Sequence, residues 1–169
     1  MRQIKINSTV GSEILTVDDV KNFVRIDTTA DDVLIGRMII QARIWCENYI
    51  SKDIVSKNRT YYLDATNGLF DILFAPVSSI EQITIDGTIT TNYEIIGLNN
   101  ETIQLDQGSA EKVKVTYITS GLNDELIKQA MLQLVSTYYD NRSDFVSGNF
   151  VEIPTSTRQI LTSYKSMFI

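Results

Sequence analysis

The sequence predicts an α+β fold: a helical bundle built from both ends of the chain, with an antiparallel β insert in the middle. Three observations carry this. A wide apolar stripe at helical spacing runs through residues 16–50. A second one covers residues 123–142. Between them, over about 57–119, the apolar period changes to alternation punctuated by Asn-Gly and Asp-Gly, the mark of strands and hairpins. The 169 residues suit one domain, with helices at about 16–50 and 123–169 flanking the insert.

The first helix starts at Thr16-Val17-Asp18-Asp19, a capping-box pattern with Asp in place of Glu. Val17, Val20, Phe23 and Val24 form its apolar face. Thr28 or Thr29 is expected to cap the next helix, since each stands three residues before an acid, Asp31 or Asp32. In that helix Leu34, Met38, Ala42, Trp45 and Tyr49 form the main apolar line. Ile35, Ile39, Cys46 and Ile50 run beside it. So wide a stripe exceeds what one packed surface helix needs. Trp45 is expected in the core, and Cys46 as a buried small hydrophobe.

Thr60–Leu63 and Phe70–Phe74 flank Asn67-Gly68, which predicts a hairpin. Ile80, Ile83 and Ile85 lead into a second one at Asp86-Gly87. Further strands are expected at Tyr93–Ile96, Thr102–Leu105 and Lys112–Thr119. In the last, Val113, Val115 and Tyr117 share one face, while Lys112, Lys114 and Thr116 share the other. Gly121 ends the β part. Asp124 and Glu125 open the third helix, with Leu126, Ile127, Ala130, Met131, Leu134, Val135 and Tyr138 as its stripe. Residues 143–153 read as a loop. Pro154 is placed to begin a last helix carrying Ile160, Leu161, Tyr164 and Phe168.

The chain has no histidine and one cysteine. That excludes Ser-His-Asp and Cys-His catalysis, a histidine or thiolate zinc site, and an internal disulfide. No cofactor is implied. The missing disulfide framework suits a reducing compartment. No apolar run approaches bilayer length, so no membrane partner is expected. A net charge of −6 disfavours a nucleic-acid-coating surface. Carboxylate-only hydrolysis remains as a rival class, with Asp64, Asp71 and Asp86 as candidates. All three adjoin turns, where solvated acids ordinarily sit. The acids Asp18, Asp19, Asp31 and Asp32 read as helix-terminus charges rather than metal ligands.

The order of these features resembles the head–tail connector proteins of tailed bacteriophages, also called adaptor or head-completion proteins. "LTVDDVKNFVRIDTTADDVLIGRMIIQARIWCENYI" (Leu15–Ile50) is similar to the family's short helix, Arg-x-Asp turn and long helix with an Ala-Arg pair. "FAPVSSIEQITI" (Phe74–Ile85) resembles its Pro-containing approach to a strand. "VKVTYITSG" and "LNDELIKQAMLQLVSTYYDNR" (Val113–Arg142) resemble its strand, Gly turn and third helix. "IPTSTRQILTSYK" (Ile153–Lys165) resembles its closing segment. Phe145–Glu152 and the middle strands match least.

The resemblance implies a structural virion protein without enzymatic activity. It would be made in the host bacterial cytoplasm and carried in the virion neck. It also implies a ring, usually dodecameric, beneath the portal protein. The ring would extend the DNA channel, let DNA pass without sequence-specific binding, and seat the next neck or tail-completion protein. Another neck or tail-completion role is the near alternative. With a ring in view, the broad stripes suggest a subunit interface at Ile35, Ile39, Met131 and Val135. The tail segment holds Arg158 and Lys165 and no acid, against four basic and eight acidic residues from Lys57 to Thr119. That charge split points to portal contact through Arg158, Ile160, Leu161, Tyr164, Lys165 and Phe168, with the acidic insert toward the tail side or the channel. On this reading, removing the tail after Pro154 would leave a folded subunit.

Overall fold

The computed structural model describes residues 1–141 and 153–166. It is mixed α+β. In chain order the described elements are β1 (Arg2–Thr9), α1 (Val17–Val24), α2 (Asp32–Ile50), β2 (Lys57–Thr66), β3 (Leu69–Asp71) and β4 (Val77–Ile85). Then follow β5 (Thr88–Thr90), β6 (Tyr93–Ile96), β7 (Thr102–Leu105), β8 (Ala110–Thr119), α3 (Glu125–Asp140) and α4 (Thr155–Thr162). They form two compact units. The β unit takes residues 1–12 and 55–121, and the helical unit takes 13–54 and 122–169. The β part is therefore more than an insert, because β1 pairs with β2 antiparallel, Gln3 opposite Tyr62 and Lys5 opposite Thr60. The alternation Ile4-Lys5-Ile6 is the only sequence trace of that strand.

The β unit holds a five-stranded sheet, β1-β2-β8-β4-β5, and a three-stranded sheet, β3-β7-β6. All the ladders are antiparallel. The alternation expected in β8 is present. Val113, Val115 and Tyr117 are fully buried, and Leu63 and Tyr61 of β2 stand opposite Val113 and Val115. Phe70, Ile103 and Leu105 from the second sheet complete the core. The uneven spacing of Ile80 and Ile83 is resolved by a bulge between Ile80 and Gln82. The extra residue there brings both side chains against the same core.

The Asp86-Gly87 hairpin forms as expected, pairing Ile85 with Thr88. The Asn67-Gly68 hairpin does not. Beyond Gly68 the chain leaves the first sheet, and β3 pairs with β7 instead of β2. Gly68 has φ +101°, its carbonyl accepts from Leu105 N at 2.8 Å, and a Cβ would lie 2.6 Å from the Gly108 backbone. Gly68 thus marks a change of sheet that a two-residue turn rule reads as a hairpin. Gly68→Ala is expected to lower stability by more than about 1 kcal/mol, since both the backbone conformation and the space reject a side chain; the urea midpoint measures this.

In the helical unit the Thr16 capping box is complete. Asp19 N donates to Thr16 Oγ1 at 3.1 Å, and Thr16 N donates to Asp19 Oδ2 at 2.8 Å. Asp124 caps α3, accepting from Leu126 N at 2.8 Å. Neither Thr28 nor Thr29 caps α2. Thr28 Oγ1 accepts from Ala30 N one turn too early, and the cap position falls to Asp31, whose carboxylate accepts instead from Tyr139 Oη at 2.6 Å. The core is formed by Val20 of α1, Ile35, Ile39, Ala42, Cys46 and Ile50 of α2, Ile127, Met131, Leu134 and Val135 of α3, and Leu161 of α4. The line running beside the expected main line is thus the deeper one. Trp45 and Tyr49 lie half-buried at its edge, stacked with centroids 5.2 Å apart. Burial pushes the Cys46 thiol up to about 12, which makes it an inert packing residue.

Two carboxyls of the helical unit are held below their ordinary value of 3.8. Asp19 is lowered by the hydrogen bonds from Thr16, and Asp124 first by Tyr164 and then by Leu126 N. A depressed carboxyl contributes stability above its unfolded value and loses it as pH falls through the native one. Asp124→Asn, which keeps a capping oxygen but cannot titrate, is expected to flatten the stability curve below about pH 4, read as urea midpoints across pH.

Candidate functional site

The surfaces that matter for an assembling protein are those its own core leaves uncovered. Ile35, Ile39, Met131 and Val135, the residues expected at a subunit interface, are at most 3% exposed. They pack on one another inside the helical unit, so they have no surface to offer a neighbour. The uncovered apolar line of α2 is a different one, Val33, Ile40 and Ile44, at 72, 43 and 46% exposure. Its i, i+7, i+11 spacing was present in the sequence, hidden by two denser lines on the same helix. A second uncovered surface is a groove of about 460 Å³ between α1 and α3, lined by Phe23, Leu132, Asp19, Glu125 and Lys128 among others.

The tail segment is tied into the helical unit more than its amphipathic pattern suggested. Leu161 and Thr157 have no exposure. Tyr164 Oη donates to Asp124 at 2.7 Å, Tyr49 Oη and Thr162 Oγ1 are 3.1 Å apart, and Ser166 N donates to Ile50 O at 2.9 Å. Lys165 stands 5.3 Å from the Tyr49 ring centroid. The tail is therefore part of the core, contrary to the expectation that it could be removed without loss of fold. Arg158 and Lys165 are exposed and Ile160 is half-buried, whereas Leu161 is consumed by the core and Tyr164 by Asp124. Phe168 and the Phe145–Glu152 loop lie outside the described residues.

A buried ion cluster holds the C-terminal half of α2, unannounced by periodicity because Arg43 and Glu47 occupy otherwise apolar helix faces. Arg43 Nε donates to both carboxylate oxygens of Glu13, at 2.8 and 2.9 Å, and its Nη1 donates to Glu47 at 2.9 Å. Glu47 also accepts from Ile54 N at 3.0 Å. The cluster pins the segment before α1 and the turn after α2 to the same helix.

The carboxylates considered for hydrolysis are each engaged with a partner of another kind. Asp64 pairs with the Met1 amine at 2.6 Å, Asp71 accepts from Thr102 Oγ1 at 2.7 Å, and Asp86 pairs with Lys112 at 2.7 Å. Asp64 and Asp86 are lowered by these partners, the opposite of what a general acid requires. Among the described residues, no three His, Cys, Asp or Glu side chains gather as a metal site, and no helix is long and apolar enough to cross a membrane.

Comparison with known proteins agrees with this picture of a chain built around surfaces. The family model "Head completion protein" matches residues 13–167. Among solved structures, the chain is similar to one from the neck of an empty GTA particle computed with C6 symmetry, at TM-score 0.77 and 15% identity, covering 99% of this chain and 97% of that one. It is also similar to a chain from the neck of a native GTA particle computed with C12 symmetry, at TM-score 0.76 and 14% identity, with the same coverage. A third likeness is to a chain from the virion of a native gene transfer agent particle, at TM-score 0.70 and 16% identity, again covering 99% and 97%. No curated protein matches. With the family model spanning all but the first strand and the last residues, the chain belongs to the head completion protein family and is a structural head–tail connector of a virion.

Proposed function

We propose that the chain acts as one subunit of a dodecameric ring in the virion neck. The ring sits beneath the portal, extends the DNA channel and seats the next neck or tail-completion protein. The observation that carries this reading is the family match over residues 13–167. A fold shared along its whole length with a chain from a neck computed with C12 symmetry supports the subunit number. The role is structural and involves no reaction. A reconstruction of the virion neck should show this chain repeated around the channel; a single copy in the neck would overturn the ring.

The portal contact is proposed through the outer side of the tail segment, at Arg158, Ile160 and Lys165; Leu161 has no exposure, and the half-buried Tyr164 is engaged with Asp124. The acids of the β unit then serve as a repulsive lining or rim. Of the eight from Lys57 to Thr119, all but Glu101 are exposed, while Lys57 and Arg59 are buried. Exposed charges set orientation and encounter rate more than affinity. The double variant Arg158→Glu with Lys165→Glu is therefore expected to slow portal association and remove its salt dependence, with the melting temperature lowered only slightly by loss of the Lys165–Tyr49 ring contact. Surface plasmon resonance at two ionic strengths reads this out.

A further inference from the structure

The outer stripe of α2 and the groove between α1 and α3 share no residue, and both belong to the helical unit. A ring of identical subunits needs such a pair: its contacts are heterologous, with one patch meeting a different patch on the next copy. Resting on the ring reading above, we infer that the α2 stripe of each subunit seats in the α1–α3 groove of its neighbour.

Three features of the two patches support a second copy as the occupant. The first is apolar match. Val33, Ile40 and Ile44 stand out on the stripe, and the groove offers Leu132 and Phe23, itself 41% exposed. The second is charge. The exposed positions of the stripe carry Arg37 and no acid. The groove carries Asp19 and Glu125, with Lys128 already paired to Glu125 at 2.7 Å. An arginine arriving at the Asp19 end meets an acid that is hydrogen-bonded to Thr16 and lies within the field of Lys128, but has no ion pair of its own within the groove.

The third is Gly36. It lies inside α2 between Val33 and Ile40, and a Cβ added to it would meet nothing within 4 Å. Glycine in a helix interior is unfavourable relative to alanine, and no neighbour among the described residues requires it. A backbone or large side chain of another copy packed closely against the stripe does.

The test uses purified full-length chain and native mass spectrometry over a concentration series, with melting curves beside it. Ile40→Asp with Ile44→Asp disables the stripe, and Phe23→Asp disables the groove. Each is expected to melt near the parent and to remain monomeric. Mixed together, they should give dimers and nothing larger, since one chain keeps an intact groove and the other an intact stripe. Gly36→Ala adds a readout that folding alone cannot imitate: a higher melting temperature together with ring formation weakened by at least about tenfold, a shift of one decade in concentration. A parent chain that rings while the stripe, groove and Gly36 variants ring equally well overturns this inference and leaves the ring standing. A parent chain that stays monomeric throughout overturns the ring reading and the inference with it.

Discussion

Arg43→Met is expected to cost about 3–5 kcal/mol of stability, the range for breaking a buried ion pair by removing one partner. The Arg43 side chain is 8% exposed and that of Glu47 is 5% exposed. Without the guanidinium, the Glu47 carboxylate stays desolvated with that counter-charge gone, and Glu13 loses its two-oxygen clamp. Glu47→Gln is the contrasting case. The amide oxygen still accepts from Ile54 N, but the NH2 then faces Arg43 Nη1, donor against donor, so that bond is lost while Arg43 keeps Glu13; the loss should be about 1–3 kcal/mol. Urea denaturation of the two variants gives the comparison. Equal losses would mean that the cluster acts through packing rather than charge.

Leu161→Ala should cost about 2–5 kcal/mol, as expected for a fully buried leucine whose removal leaves a cavity. Its side chain has no exposure and packs with the α2 and α3 residues of the core. Deletion of residues 154–169 should do more, because it also removes Thr157, Tyr164 and the Ser166–Ile50 bond. The helical unit is then expected to melt well below the parent and to bind a hydrophobic dye. A truncated chain that kept the parent's melting temperature would show that the tail packs without contributing, and that its surface is free for docking.

Much of the fold was legible because its signals are local. The Thr16 box, the Asp124 cap, the Asp86-Gly87 hairpin and the alternation of β8 each depend on residues within one element. What was not legible depends on partners distant in sequence. Gly68 carries a turn dipeptide, yet the backbone of Gly108 and the register of β7 decide where the chain goes next. Of the two apolar lines on α2, burial chose the one that α3 and α4 cover, and nothing within α2 ranks them. The candidate interface residues failed for the same reason. A residue strong enough in pattern to be noticed is the one the subunit's own core takes first, so the faces left for assembly are weaker lines such as Val33, Ile40 and Ile44. In the Arg43 cluster the Glu47 partner is a local i, i+4 pair, but Glu13 comes from thirty residues away, and no pattern within α2 announces it.

The interleaving of the two units has a consequence for biosynthesis. The helical unit is split in sequence, and most of the stretch between Ile50 and Glu125 is given to residues 55–121 of the β unit. A ribosome adding roughly 5–20 residues per second needs on the order of 4–15 seconds to cross it. In the later part of that interval α2 has left the exit tunnel, and its face of Ile35, Ile39, Cys46 and Ile50 waits for the helix that covers it. The β unit has all its strands once β8 is available to slot between β2 and β4, and α3 and α4 follow it in the chain. The nascent chain therefore passes through a state with one finished unit and one exposed helix. Chaperones recognise such a state, and aggregation starts from it when expression outruns them.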